Sequence, residues 1–252
     1  MSKKIAYIYL LTLTLLLGDR YLIHPVAGQN LPTKEPLEFK PPNNGAPGGN
    51  RSGSSADTGS RPICPTVEKD ITALIPKTNW ANTLAERPTF WFYIPYERGR
   101  LKLILKDERK STIVAHVNYE INKGGGIMGF PIPETAPALE VNRAYRWQVS
   151  FSCEPNIEPS FTGVQGIVQR VATNEVLKTK LTSTTTIQGR INLYASQGLW
   201  HETITALIQS RRSKPTEQEF KQDWSNLLSN NYVELAEFIS EPLVECCNPI
   251  PE

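Results

Sequence analysis

The chain has 252 residues, with 27 Lys and Arg against 25 Asp and Glu, a formal charge of +2. So even a balance offers no global electrostatic attraction to nucleic acid or to an anionic membrane. Three histidines and four cysteines, in no ligand spacing, leave little material for a metal site.

Lys3 and Lys4 precede the apolar run Ile5 to Leu17, and the small-residue site Val26-Ala27-Gly28 follows. This order is that of a secretory signal peptide over residues 1–28. The run is 13 residues long, short of the ~20 that a spanning helix needs. Its removal leaves 24 basic and 24 acidic residues in an exported chain with no stable membrane span. Residues 29–62 carry Pro41-Pro42-Asn43-Asn44-Gly45 and Pro47-Gly48-Gly49 and few apolar side chains. Such a stretch cannot offset the entropy of ordering and is expected to be a disordered linker.

Residues 63–172 read as β structure. Ile71–Ile75 is a short strand stopped by Pro76. Thr89-Phe90-Trp91-Phe92-Tyr93-Ile94 lies between Pro88 and Pro95, bulky on both faces, and predicts a central strand covered on each side. Leu101, Leu103 and Leu105 alternate with polar residues, Ile113, Ala115, Val117, Tyr119 and Ile121 alternate with Val114, His116, Asn118 and Glu120, and the two runs predict an antiparallel hairpin. Gly124-Gly125-Gly126 has no Lys-Ser/Thr behind it, so it leads into an edge strand with Pro131 and Pro133 and not into a phosphate loop. Tyr145, Trp147, Val149 and Phe151 share one face of a further strand that ends at Cys153, and Gly163–Val171 forms the last. About seven short strands of this kind suggest an Ig-like antiparallel β-sandwich.

In residues 173–252 the period changes to that of helices. Ile187, Ile191 and Tyr194 recur before Gly198; Leu207 and Ile208 mark a second helix; Phe220, Trp224, Leu227 and Leu228 a third; Val233, Ala236 and Ile239 a fourth. The expected class is α+β, with this helical subdomain of about four helices packed on the sandwich. Leu193 to Ile204, around Gly198-Leu199-Trp200-His201, is similar to the helix–turn–helix junction of a tetratricopeptide repeat.

No Gly-x-Ser-x-Gly elbow, HExxH or CxxC is present, and His116 and His201 lie far apart. No cofactor is expected. In an exported chain Cys64, Cys153, Cys246 and Cys247 read as candidate disulfides, with buried reduced thiols as the alternative. Adjacent cysteines rarely bond each other, so the expected bridge runs from Cys153 to Cys246 or Cys247.

Leu74-Ile75-Pro76, Ala85-Glu86-Arg87-Pro88-Thr89-Phe90-Trp91-Phe92-Tyr93-Ile94-Pro95-Tyr96, Ala136 to Trp147, the Cys153 strand end, Gly166 to Val171 and Gly198-Leu199-Trp200 together resemble the family catalogued as domain of unknown function 928, found in cyanobacteria. The resemblance covers about residues 64–246. Asn142 stands where the family pattern leads us to expect a glycine. The resemblance implies an exported cyanobacterial protein and brings no activity.

The expected function is therefore a non-enzymatic module of the periplasm or cell envelope that binds another envelope protein. Its candidate contacts are Glu86, Arg87 and Tyr96 at the ends of the aromatic strand, and Trp200 and His201 at the helix junction. One alternative is a carbohydrate- or small-ligand-binding sandwich using Trp91, Tyr93 or Tyr96. Another is a hydrolase whose site is assembled between sheet and helices.

Overall fold

A computed structural model describes residues 36–42, 49–53, 64–154 and 156–250. The signal segment lies outside the described residues. The strands are β1 (Ser52–Gly53), β2 (Ile71–Ala73), β3 (Trp80–Thr83), β4 (Thr89–Ile94), β5 (Gly99–Asp107), β6 (Ile113–Ile121), β7 (Gly126–Pro131), β8 (Arg143–Ser152), β9 (Ser160–Arg170) and β10 (Pro249–Ile250). The helices are α1 (Glu175–Ser183), α2 (Ile187–Ser196), α3 (Trp200–Ser213) and α4 (Gln218–Ser229). The fold is α+β, with two unclosed sheets followed by the four helices. One sheet runs β1-β2-β4-β7 and the other β10-β6-β5-β8-β9-β3.

All seven expected strands are present, and β5 and β6 form the expected hairpin. Three more were not legible. β1 and β10 are two residues each, and β3 pairs in parallel with β9, so the six-stranded sheet is not wholly antiparallel.

The aromatic strand is β4, and it is interior to its sheet. Phe90 and Phe92 point at Trp147 of β8, with ring centroids 6.0 and 5.6 Å away. Trp91 and Tyr93 point the other way. The Trp91 indole N–H donates to Thr205 Oγ1 on α3 at 2.9 Å, and Tyr93 packs on Phe238 at 5.0 Å. Both faces are thus covered. Opposite Trp91 on β7 stands Gly129, where an added Cβ would lie 2.8 Å from the indole ring, so the edge strand is glycine where the tryptophan needs room.

The helical hairpin is α2 and α3, joined through Gly198 at φ +68°. A side chain there would be strained and would also meet the Lys40 carbonyl oxygen at 2.7 Å. Trp200, Ile204, Leu207 and Ile208 make the buried stripe of α3, and Phe220, Trp224, Leu227 and Leu228 that of α4. Two helix expectations fail. The segment around Val233–Ile239 forms only a 3-10 turn over Ala236–Phe238, after Glu234 takes φ +54°. In its place α1 appears, capped by the Asn174 side chain, which accepts from Leu177 N–H at 2.8 Å. Leu177 is its one buried side chain, so it has no apolar stripe to betray it.

The expected linker is also shorter than its composition suggests. Leu37 and Phe39 lie in the core, Phe39 fully buried and edge-on to Trp200 at 5.0 Å. Arg51 donates to the Val233 and Glu234 carbonyls, and Ser52–Gly53 pairs with β2. Two apolar residues in a polar run were enough to anchor the lead-in. Asn142 has φ +59°, so the turn before β8 requires the left-handed region, and asparagine can supply it where glycine was expected.

The cysteine expectation is corrected as well. Cys153 is bonded to Cys64. Cys153, just past the end of β8, lies with its Cα atom 5.2 Å from that of Cys64. The bridge ties the entry segment, not the helices, to the six-stranded sheet.

Two outcomes are expected. Phe39→Ala should cost about 3–5 kcal/mol in denaturant unfolding, the range for deleting a buried ring, whereas a residue in a true tether would cost almost nothing. Removing the Cys64–Cys153 bridge, which spans 89 residues, by Cys64→Ser with Cys153→Ser should cost about 4–5 kcal/mol by the chain-entropy account.

Candidate functional site

The first turn of α3 carries Trp200 and His201 and is tied through Glu202 to the turn between β3 and β4, which carries Glu86 and Arg87. Trp200 is 1% exposed, and its indole N–H donates to the Leu74 carbonyl at 2.8 Å. His201 is 6% exposed, with Nδ1–H donating to the Thr89 carbonyl at 3.0 Å and its ring edge-on to Phe90 at 5.1 Å. These two side chains hold α3 to the sheet and do not reach the surface. Tyr96, the fifth expected contact residue, is buried and stacks on Phe151 at 5.2 Å.

Glu86 is exposed and Arg87 half-buried. Both are used internally. Glu86 accepts from Arg170 at 3.1 Å, and Arg87 Nε donates to the Ala136 carbonyl at 3.0 Å. Arg170 also donates to the Leu139 and Leu84 carbonyls at 2.6 and 3.3 Å. These groups lock the β3–β4 turn to the loop that follows β7.

Sequence reasoning missed Glu202. Its Oε1 accepts from Thr83 Oγ1–H at 2.7 Å, Leu84 N–H at 2.8 Å and Ala85 N–H at 3.1 Å. Only its neighbour His201 drew attention to this turn of helix. Burial pushes its carboxyl above the ordinary carboxylate range, against those three hydrogen bonds. Burial likewise pushes His201 down to about 4, opposed by its bond to Thr89. His201 Nε2 and Glu202 Oε2 have no hydrogen-bond partner among the described residues. A buried base and acid side by side invite a catalytic reading, but a general base must reach its substrate, and neither of the two clefts below is lined by them. The arrangement fastens helix to sheet.

Trp91, Tyr93 and Tyr96 are all buried, so no ring of the aromatic strand is available for a sugar to stack on. Among the described residues no three His, Cys, Asp or Glu side chains assemble a metal cage, and no helix is long and apolar enough to cross a membrane.

The concave surface lies elsewhere. A groove of about 740 Å³ opens between the start of β6 (Ile113 to Val117) and the loop Pro133 to Pro137, with Pro249 and Ile250 closing one end. Its lining contains no Lys, Arg, Asp or Glu. Ile113 is 61% exposed at its mouth. On this flank β10 pairs only with Tyr119 and Asn118, and no described strand continues along β6 towards Ile113. The alternation of β6 placed Ile113 among the inward residues, but the register against β5 shifts between Leu105 and Lys106, and Ile113, opposite Lys106, stays exposed. A smaller cleft of about 270 Å³ lies among Arg98, Arg100, Glu120, Asn122 and Cys153.

The family model for the domain of unknown function DUF928 matches residues 48–243. The chain belongs to this family. The DUF928 match begins at the β1 lead-in and ends in the segment after the helices, so it takes in the hairpin and both sheets except β10. No curated protein matches the chain.

One outcome follows from His201. Its folded value lies below the ordinary 6.5, so the fold favours the neutral ring. The stability this represents is complete above pH about 6.5 and is lost as pH falls towards about 4, by roughly 3 kcal/mol. Glu202, raised, acts in the opposite direction, since the fold favours its protonated form. The comparison is therefore wild type against His201→Gln in urea titrations at about pH 7 and about pH 4.5. The wild type should lose more stability on acidification than the variant, and equal losses would remove His201 as the titrating group.

Proposed function

We propose that this DUF928 protein is an exported, non-enzymatic interaction module of the periplasm or cell envelope, of cyanobacterial origin, and that it binds a segment of another envelope protein. The observation that carries this reading is the groove beside β6. It joins an uncharged, largely apolar lining to a strand edge on which the chain already seats two of its own residues. Extended peptides bind such edges by adding a strand: main-chain hydrogen bonds supply affinity, and pockets for alternate side chains supply selectivity. The stretch Ile113 to Val117 would match about five residues, or roughly 16 Å of strand. The start of the chain, read as an export signal, supports the compartment. The family brings no activity that would argue for an enzyme.

The test is site-specific photocrosslinking in the native envelope. A benzoylphenylalanine at Ile113 should form an adduct with another protein. The same probe at Val176, exposed on α1 away from the groove, should not. Ala136→Glu, which charges the groove, should abolish the Ile113 adduct. Identical patterns at the two positions would overturn the reading.

A further inference from the structure

The face of the six-stranded sheet turned away from β4 carries the second, smaller cleft. Arg98, just before β5, and Arg100 within it stand two residues apart, about 7 Å, and so point to the same side. With Glu120, Asn122 and Cys153 they line a recess of about 270 Å³. Neither guanidinium has an ion-pair or hydrogen-bond partner among the described residues, and Glu120, opposite Arg100 in the register, makes no ion pair with it. Two neighbouring cations are already satisfied, Lys102 by Glu158 and Arg146 by Glu108 at 2.9 Å. Gly99, between the arginines, packs so closely on β8 that an added Cβ would lie 2.4 Å from the Phe151 ring. The pair is thus carried on a fixed stretch of backbone. Across β8, Phe161 of β9 stands opposite Ser150, and Ser150 opposite Lys102. The Phe161 ring therefore lies on the same face, two strands or about 10 Å from the β5 row. It is 46% exposed, whereas every ring of β4 is buried.

We propose that this corner of the sheet binds an acidic oligosaccharide, with Arg98 and Arg100 holding its carboxylate or sulfate and Phe161 carrying a sugar ring. Two unpaired guanidiniums on one face match the planar, two-oxygen edge of such a group, and arginine forms paired hydrogen bonds to it. Phe161 offers a flat apolar surface to the C–H face of a sugar. Asn122 supplies donors and an acceptor for hydroxyls, and the unpaired Glu120 supplies acceptors.

Two other anionic partners fit less well. A nucleic acid carries a phosphate at every nucleotide, and proteins that track one line the path with cations and successive rings. Here Glu120 lies inside the cleft, Glu158 caps the next cation of β5, and one ring is on offer. An acidic peptide needs partners for its own backbone, but β5 and β8 are interior to their sheet and present no free edge. A sugar chain with spaced acidic groups makes neither demand. The site lies at the opposite end of β6 from Ile113 and does not depend on the peptide groove.

The test is titration calorimetry of the full chain with four probes: a galacturonate oligosaccharide, its uncharged methyl ester, a chondroitin sulfate oligosaccharide and an oligodeoxythymidylate. At least one acidic sugar should bind, and at least about tenfold more tightly than the ester and the oligodeoxythymidylate. Arg98→Gln with Arg100→Gln should weaken that binding at least about tenfold, and Phe161→Ala at least about fivefold, with the urea midpoint unchanged. Ala136→Glu, in the apolar groove, should leave it as it is. If the double variant does not fold, the acid-to-ester ratio of the wild type and Phe161→Ala decide together. Binding of neither acidic sugar would overturn the proposal, as would an ester or an oligodeoxythymidylate bound as tightly as the acid. Full affinity in the arginine variant would do the same. A positive result here with no Ile113 adduct would leave this site standing and remove the partner reading.

Discussion

Most of this molecule follows from the need to cover β4 twice. Phe90, Trp91, Phe92 and Tyr93 are successive rings, so they alternate between two faces and none can be spared to solvent. Leaving a large apolar side chain exposed forfeits about 1.5–3 kcal/mol. Four together amount to on the order of 10 kcal/mol, comparable with the whole stability of an ordinary domain. A single sheet with one wet face could not tolerate this strand. The six-stranded sheet covers one side through Trp147 and the helices the other through Thr205 and Phe238. The sandwich and the helical region are therefore one packing solution.

That solution consumes the polar groups at the seam. Bringing α3 onto a sheet buries the polar edges of both, and buried donors and acceptors must find partners. Trp200 satisfies the Leu74 carbonyl and His201 that of Thr89, while Glu202 satisfies three donors of the β3–β4 turn. Arg170 performs the same service from β9. Residues of the kinds that carry chemistry thus gather at this junction because it is a junction. Their shifted protonation records burial, and a structural network of this kind perturbs protonation as a catalytic site does.

What could be read from the sequence was whatever carried a period. Seven strands and the stripes of α2, α3 and α4 were legible because their apolar residues repeat at 2 or near 3.6. β1, β3 and β10 were not, since two to four residues make no pattern. Nor was α1, with Leu177 its single buried side chain. The burial of Leu37 and Phe39 was hidden by the polar company they keep, and composition averages over the residues that matter. The contact candidates failed for a different reason. Tyr96, Trp200 and His201 are amphipathic, and sequence cannot say whether the polar end of such a side chain meets solvent or a backbone carbonyl. The pairing of Cys153 with Cys64 depends on two points distant in the chain and near in space, which topology alone decides. The groove depends on a register shift at the start of β6 and on a neighbouring loop, both tertiary facts.

Two unclosed sheets have four margins, and an open strand margin invites unwanted pairing. Three of the four are occupied by very short strands, β1, β3 and β10, which offer a newcomer little to pair with. The fourth, β7, is met by the C-terminal segment at Leu243. Only along the first half of β6 does a long strand run beside an apolar recess with no described strand laid over its flank. A long strand margin and an apolar recess thus lie side by side, the form that an extended peptide adding a strand would use.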